Sequence, residues 1–212
     1  MAMDETTMKT GRVTGANGNL VSVAFDTSVI QNEVAFVKVS DGARLKSEVI
    51  RVRGGQADMQ VFESTAGVKV GDPVEFTGQL LSVELGPGLL TQVFDGLQNP
   101  LPRLAEESLF LKRGTYIYPL DDKRQWEYTP VAKVGDELFA GDEVGWVPEG
   151  IFHHKIMLPF AWAGVWRITW TIEAGSYSIR TVVAKAANEA GEEREITMVQ
   201  SWPVRMPINA YR

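Results

Sequence analysis

The chain has 212 residues, of which 44% are hydrophobic and 23% are charged, and this composition is typical of a globular protein with one large or two small domains. Its formal net charge of -6 means that the surface repels phosphate backbones, which argues against nucleic acid as a partner. The chain contains no cysteine, which excludes disulfide bonds, zinc thiolate sites and thiol chemistry.

The N-terminal segment "MAMDETTMKTGRV" carries acidic residues early and lacks the basic start and apolar core of a signal peptide. The most apolar run later in the chain is "IMLPFAWAGVW" at 156–166. It is about half as long as the ~20 residues that a membrane-spanning helix needs. We therefore expect a soluble, intracellular protein.

Residues 1–77 alternate apolar and polar side chains in short segments that are separated by turns. The stretch "GRVTGANGNLVSVAF" contains two such segments around a glycine- and asparagine-rich turn, and Asp41-Gly42 and Gly54-Gly55 separate later ones. Asp-Gly is a strong hairpin signal because both turn positions tolerate positive φ. Six segments at this spacing, without helical periodicity, predict a small six-stranded β-barrel and a mostly β protein.

Residues 78–108 break this alternation and are expected to form a linker with one short helix. Gly86, Pro87 and Gly88 open the linker, and the proline biases Gly86 towards an extended conformation. In the stretch "LLTQVFDGLQ" the apolar residues then follow helical spacing, at Leu89, Leu90, Val93, Phe94 and Leu97. The prolines that come next are expected to end this helix.

Residues 109–205 return to a β pattern and predict a second β-rich module, similar to a barrel-sandwich and attached through two neighbouring strands. Residues 206–212 would begin a further linker. In "VWRITWTI", Trp166 and Trp170 share a parity with the isoleucines, so both are predicted on one buried face. Together with Trp126 they are expected to contribute to the core of the module.

Gly-Asp pairs at 135–136 and 141–142 resemble turns of biotinyl and lipoyl carrier domains. Glycine allows a tight turn there, and the Asp side chain is expected to accept hydrogen bonds from the backbone N–H groups that follow it. A carrier also needs a modifiable lysine at a hairpin tip. Lys155 in "HHKIM" is the nearest candidate, although its flanking residues do not fit a biotin or lipoyl site.

The sequence contains no pattern that is typical of a catalytic or metal site. His153 and His154 are the only histidines, and as neighbours on a strand they would point to opposite faces and could not easily hold one metal ion. The phosphate-loop pattern Gly-x4-Gly-Lys-Ser/Thr and the nucleophile elbow Gly-x-Ser-x-Gly are both missing from the sequence. We therefore predict no catalytic, cofactor-binding or metal-binding residues in this chain.

The stretch "VELGPGLLTQVFDGLQNPL" at 83–101 carries a family resemblance. It is similar to the segment after the N-terminal barrel in the catalytic A subunits of V-type (vacuolar and archaeal-type) rotary ATPases. The stretch "SEVIRVRGGQADMQVFESTAGVKVGDPVEFTG" before it and "WPVR" at 202–205 occur in the family's order. "VAKVGDELFAGDEVGWVPE" resembles the insertion that A subunits have and that B subunits and F-type relatives lack. The resemblance covers essentially the whole chain.

The resemblance implies the N-terminal part of a subunit that hydrolyses or synthesises ATP, with Mg-ATP bound to the full-length protein, and that couples this reaction to proton or sodium transport. In the family, "WPVR" leads into the nucleotide-binding domain, so none of the family's catalytic residues matches a position here. The resemblance further implies a ring of alternating A and B subunits, three of each, with stalk or regulatory subunits near the insertion. The complex would lie on the cytoplasmic face of a membrane, whereas this part alone is expected to be monomeric.

In this family, Val83–Leu101 would join the barrel to the rest of the subunit. Two glycines would allow close backbone approach, and the apolar side chains would pack either on a domain outside this chain or on its own β modules. The interface candidates are therefore Gly86, Pro87, Gly88, Leu89, Leu90 and Phe94. Two other interpretations remain open from the sequence, namely a stand-alone binding protein made of two β modules and a carrier domain.

Overall fold

The computed structural model describes residues 9–107 and 112–208, and the regular structure in these ranges is almost entirely β-strand. The chain divides into two compact units. The first comprises Met1–Leu81 and Leu104–Tyr116, and the second comprises Ser82–Arg103 and Ile117–Arg212. The mostly β fold class predicted from the sequence is confirmed.

Six antiparallel strands of the first unit close into a barrel in the order β1-β2-β5-β4-β3-β6, which confirms the predicted six-stranded barrel. Strand β1 closes the barrel by pairing with β6, so that Lys9 lies opposite Phe76. Closure leaves no unpaired edge strand that could recruit another chain. The strands are β1 Lys9–Asn17, β2 Leu20–Phe25, β3 Glu33–Lys38, β4 Arg44–Arg53, β5 Gln56–Val61 and β6 Pro73–Leu80.

The interior of the barrel is filled by the apolar residues that alternate along its strands, because successive side chains of a strand point to opposite faces. Asp41-Gly42 forms the expected turn between β3 and β4, with Gly42 at φ 88°. The Asp41 carboxylate accepts a hydrogen bond from the Ala43 N–H at 2.9 Å. The fully buried core residues include Val21, Val23, Ala35, Val37, Leu45, Val49, Met59, Val61 and Val74.

One buried carboxylate holds two irregular segments of the barrel. Glu33 is completely buried, and its two oxygens accept hydrogen bonds from the backbone N–H groups of Ile30 at 2.8 Å and Gly78 at 2.6 Å. Buried backbone donors need such acceptors wherever no strand partner supplies one. Glu33 therefore replaces a missing strand partner at the end of β6.

The second unit contains two four-stranded antiparallel sheets, with strand orders β11-β10-β8-β13 and β15-β14-β12-β9. Both contribute to one apolar core that includes Trp126, Tyr128, Val147, Ile168 and Ile196. The predicted β-rich module is therefore present. Its strands are β8 Gln125–Pro130, β9 Glu137–Leu138, β10 Glu143–Glu149, β11 Phe152–Met157, β12 Trp166–Thr171, β13 Gly175–Ser178, β14 Ala184–Asn188 and β15 Glu193–Ile196.

A separate two-stranded ribbon lies in the second unit, where β7, Ser82–Leu85, pairs with β16, Gln200–Pro203. Trp202 lies opposite Val83 in this ribbon. The chain therefore enters and leaves this part of the unit through neighbouring strands. Beyond β16, the linker expected at 206–212 is described only as far as Ile208.

The Gly-Asp turns differ in one respect from the expectation. Gly135 and Gly141 have φ values of 97° and 88°, as a tight turn requires. However, the carboxylates accept hydrogen bonds from backbone N–H groups three residues earlier, Asp136 from Lys133 at 2.8 Å and Asp142 from Phe139 at 2.7 Å. The positive φ of the glycine turns the chain back, so the carboxylate faces the residues that precede the turn.

The prediction for Trp170 was wrong, although Trp126 and Trp166 are buried as expected, at 3% and 2% exposure. A β-bulge between Ile168 and Trp170 shifts the register of β12 against β14 by one residue. Since a one-residue shift moves the following side chains to the other face, Trp170 is 42% exposed.

We expect Trp166→Ala to lower the free energy of unfolding of the second unit by about 3–5 kcal/mol, because it empties a large buried volume. Trp170→Ala should cost less than about 1 kcal/mol, since its side chain remains partly in water. Urea unfolding monitored by tryptophan fluorescence measures this unit alone, because all six tryptophans lie between 126 and 202. Equal losses in the two variants would contradict the bulge in β12.

Candidate functional site

The linker segment that follows β7 forms turns rather than the predicted helix at 89–97. Thr91 and Gln98 have positive φ values of 65° and 64°, which a right-handed helix does not allow. The Asp95 carboxylate also competes for backbone donors, because it accepts hydrogen bonds from Leu97 N–H at 2.9 Å and Asn99 N–H at 2.8 Å. The helix prediction for this stretch was therefore wrong.

The linker at 78–108 does contain one short helix, as predicted, but this helix begins where the prediction expected it to end. Helix α1 spans Leu101–Glu107 and is the one helix among the residues that the structure describes. Pro102 lies in its first turn, where a proline removes no helical hydrogen bond. The two prolines of this stretch thus mark the start of a helix.

Gly86 allows a close backbone approach, as its sequence context predicted. A Cβ atom at this position would lie 3.0 Å from the carbonyl oxygen of Met198, 3.0 Å from a methyl group of Val199 and 3.3 Å from Leu120. No side chain fits against a carbonyl at that distance without movement of the backbone. Pro87 is also buried, and Gly88 has a φ of 105°, which favours glycine.

A single carboxylate, that of Glu149 at the end of β10, fixes the turn formed by Gly88–Leu90. Its Oε1 accepts hydrogen bonds from Gly88 N–H at 2.8 Å and from Leu90 N–H at 3.0 Å. Glu149 is only 6% exposed. A buried side-chain oxygen that accepts two backbone N–H groups fixes the geometry of those donors. We call this arrangement the Glu149 clamp.

His154 completes the clamp from the other side. Its Nδ1 lies 2.6 Å from Oε2 of Glu149, and its side chain is 22% exposed. The neighbouring His153 points away and stacks on Trp146, with ring centroids 4.0 Å apart. The two histidines therefore point to opposite faces of β11, as the sequence predicted. Among residues 9–107 and 112–208, no group of three potential metal-ligating side chains comes together.

Two more side chains, those of Gln98 and Tyr118, form hydrogen bonds with Glu84 near the start of the linker segment. The Gln98 side-chain amide donates to the backbone oxygen of Glu84 and accepts from the backbone N–H of Glu84, both at 2.8 Å. The Tyr118 hydroxyl donates to the Glu84 carboxylate at 3.1 Å. Burial, together with the charge of Glu84, raises the pKa of Tyr118 to about 12, so this hydroxyl remains a donor at neutral pH.

The apolar residues of the segment are divided between the core and the surface. Leu89 packs against the core of the second unit, and Phe94 is partly buried. Leu90 is 40% exposed and Val93 is 61% exposed. One part of the expected apolar face is thus covered by the chain's own β module, and the other part remains in contact with solvent.

Lys155 does not occupy the position that a carrier lysine needs. It lies inside β11 rather than at the tip of the β10–β11 hairpin, and its ammonium group lies 3.2 Å from the Glu143 carboxylate. A modified lysine must reach another protein's active site, which requires a position at a turn. This geometry argues against the carrier interpretation.

The role of Glu149 and its pairing with His154 were not predicted from the sequence. Glu149 contacts backbone groups that lie 59 and 61 residues earlier in the chain, and no local pattern shows such a pairing. The only signal in the sequence was the position of Glu149, immediately before the glycine of a hairpin turn and five residues before a histidine.

The described residues contain no helix that is long and apolar enough to span a membrane.

We expect Glu149→Ala to reduce the free energy of unfolding of the second unit by about 2 kcal/mol, because it leaves the partly buried Gly88 and Leu90 N–H groups without their carboxylate acceptor. Glu149→Gln retains one acceptor oxygen and should lose about half as much. Glu143→Ala is the matched control, since it removes an exposed ion pair worth less than about 1 kcal/mol. Urea unfolding by tryptophan fluorescence measures all three variants. A Glu149→Ala loss no larger than that of Glu143→Ala would contradict the clamp.

Comparison with known proteins finds two matching domain families. They occur along the chain in the same order as the barrel and the β module. Residues 13–78 match the beta-barrel domain of the ATP synthase alpha/beta family. Residues 117–205 match the ATP synthase alpha/beta subunit barrel-sandwich domain. The first match coincides with the closed barrel, and the second coincides with the two four-stranded sheets and β16.

Curated relatives cover nearly the whole chain. The V-type ATP synthase alpha chain of Protochlamydia amoebophila is 54% identical over 196 residues, which are 92% of this chain and 33% of that relative. The corresponding proteins of Borrelia garinii subsp. bavariensis and Treponema pallidum are 51% and 50% identical over 97% of this chain, and the matched residues make up 36% and 35% of their lengths. This chain therefore spans about a third of the length of these relatives. It belongs to the ATP synthase alpha/beta family and corresponds to an N-terminal region of the V-type alpha (A) chain.

Proposed function

We propose that this chain serves as the assembly region of the catalytic subunit of a V-type ATP synthase, whose full-length form hydrolyses or synthesises ATP and couples this reaction to proton or sodium transport. The observation that carries the proposal is the sequence identity of 50–54% to V-type ATP synthase alpha chains, which extends over 92–97% of this chain. The order of the two matched domains also supports it.

In this proposal the chemical step belongs to groups outside these residues. Phosphoryl transfer needs donors that cradle the phosphates of ATP and a bound Mg²⁺. The phosphate-loop pattern does not occur in the sequence, and no metal-ligating cluster forms within the described ranges. The part played by these residues is structural. They build a closed barrel and a rigid β module, and the Glu149 clamp fixes the linker segment between β7 and α1 relative to that module.

The proposed partners are B subunits, which would alternate with A subunits in a ring of three each, and stalk or regulatory subunits near the β module. The linker residues Gly86, Pro87, Gly88, Leu89, Leu90 and Phe94 remain the interface candidates. The exposure of Leu90 supports this role for Leu90, whereas Gly86 and Pro87 are buried and Leu89 packs against the core of the second unit. The subunit would lie at the cytoplasmic face of a membrane through the assembled complex.

We expect this chain alone to bind no ATP. Calorimetric titration of the chain with Mg-ATP should give no saturable heat, because phosphate binding relies on backbone N–H groups of a glycine-rich loop and a lysine that this sequence lacks. The positive control is a V-type alpha chain of full length, which should show saturable binding under the same conditions. A micromolar dissociation constant for the 212-residue chain would contradict this part of the proposal.

We also expect the isolated chain to be monomeric in dilute solution. Specific interfaces much smaller than ~1,000 Å² rarely hold two proteins together, and the net charge of -6 makes identical copies repel each other. Sedimentation velocity over a hundredfold concentration range measures this directly. A stable trimer or hexamer at micromolar concentration would show that these residues suffice for ring formation, and would contradict our assignment of the assembly energy to other parts of the complex.

A further inference from the structure

The tip of the β10–β11 hairpin is apolar and faces solvent. Gly150 makes the turn with a φ of 61°, Ile151 is 91% exposed and Phe152 is 56% exposed. Hairpin turns ordinarily carry Asn, Asp, Gly or Ser, whose side chains are hydrated and favour turn geometry. An isoleucine and a phenylalanine side by side at such a tip have no role in the turn itself. Exposed apolar residues are usually scattered singly over a surface, so an adjacent pair with this exposure is unusual.

The Glu149 clamp connects this tip to a second exposed apolar segment. Glu149 lies opposite Phe152 in the hairpin register, and its Oε1 accepts the Leu90 N–H at 3.0 Å. Leu90 and Val93 are 40% and 61% exposed. The hairpin tip and the linker turn are therefore fixed to each other through one carboxylate. We refer to these four exposed apolar residues, Leu90, Val93, Ile151 and Phe152, as the tip surface.

The residues of the tip surface belong to two stretches of chain that are almost free of charge. From Val144 to Phe152 the one charged residue is Glu149, which is buried. From Leu85 to Gln98 it is Asp95, and both Asp95 oxygens accept hydrogen bonds within the segment. Charged residues make up 23% of the whole chain, so this depletion is local. Apolar side chains without charged neighbours are typical of the core of a permanent interface.

We propose that the tip surface docks on the part of the V-type alpha chain that lies outside these 212 residues. The curated relatives are about three times as long as the matched region, since it makes up 33–36% of their length. Four side chains cover much less than the ~1,000 Å² that two free proteins need for a stable contact. A segment of the same polypeptide is held at high effective concentration, so a small apolar surface suffices for it. This inference rests on the proposed function and adds the β-module hairpin to the subunit's internal interfaces.

The test compares this chain alone with the same chain extended by the remaining two thirds of the Protochlamydia amoebophila alpha chain. Hydrogen exchange of peptides covering 148–153 is measured in both proteins by mass spectrometry. We expect the hairpin tip to exchange at least about tenfold more slowly in the extended protein, because docking removes it from water. Equal exchange rates in the two proteins would overturn the inference.

A variant with Ile151→Ser and Phe152→Ser tests whether docking depends on the apolar side chains. We expect it to lower the melting temperature of the extended protein by about 4 °C and to leave the isolated chain unchanged, which also shows that the variant folds. Val134→Ser, at a residue with 63% exposure in the same unit, is the matched control and should change neither protein. Equal shifts in both proteins, or no shift in either, would overturn the inference. So would a concentration-dependent dimer of the isolated chain that the double substitution abolishes.

Co-purification of the extended protein with V-type B subunits separates this inference from the proposed function. If B subunits co-purify and the tip still exchanges freely, the docking of the tip is refuted and the proposed function stands. If the tip is protected and no B subunit co-purifies, the docking stands and the proposed function fails. If neither occurs, both are refuted.

Discussion

The path of the linker turn over the β module depends on one buried side chain, that of Glu149. Glu149 has 6% of its surface exposed and makes three hydrogen bonds, two to backbone N–H groups and one to a histidine ring. A buried carboxylate without such partners would cost several kcal/mol, so the linker turn, the end of β10 and the start of β11 must adopt one mutual arrangement. This requirement explains why a glycine- and leucine-rich segment, with little polar chemistry of its own, has a defined path over the β module.

The same device occurs elsewhere in the chain. In the barrel, Glu33 accepts the N–H groups of Ile30 and Gly78, and Glu63 accepts the Gly114 N–H at 3.0 Å and the Tyr116 hydroxyl at 2.8 Å. In each place an irregular stretch has backbone donors that no strand accepts. A glutamate is long enough to reach them from a neighbouring element. Burial, and then the hydrogen bond to Glu63, raise the pKa of Tyr116 well above its usual value, so that its hydroxyl remains a donor.

The parts of the fold that follow local rules could be predicted from the sequence. Alternation with a period of two identified the barrel strands, Asp41-Gly42 identified a hairpin, and the glycine at 86 indicated a close approach of the backbone. The failures have two different causes. Trp170 is exposed because of a bulge that one extra residue creates in pairing with β14, and a single strand sequence does not show its partner. The helical spacing at 89–97 is real, but Thr91 and Gln98 adopt positive φ, and the Asp95 carboxylate binds the Leu97 and Asn99 N–H groups in turns. Periodicity reports the preference of the apolar side chains, and here the hydrogen bonds of the turns outweigh that preference.

The chain passes between its two compact units three times, at 81–82, 103–104 and 116–117, because Leu104–Tyr116 belongs to the unit of the barrel. Neither unit is therefore one continuous stretch of polypeptide. A protease that cuts at one of these crossings leaves the other two intact, so a single cut cannot release a free unit. For protein engineering, the β module cannot be exchanged between relatives by cutting at one boundary, and a graft must include several crossings together. The same interlacing favours the inheritance of the barrel and the β module as one genetic block.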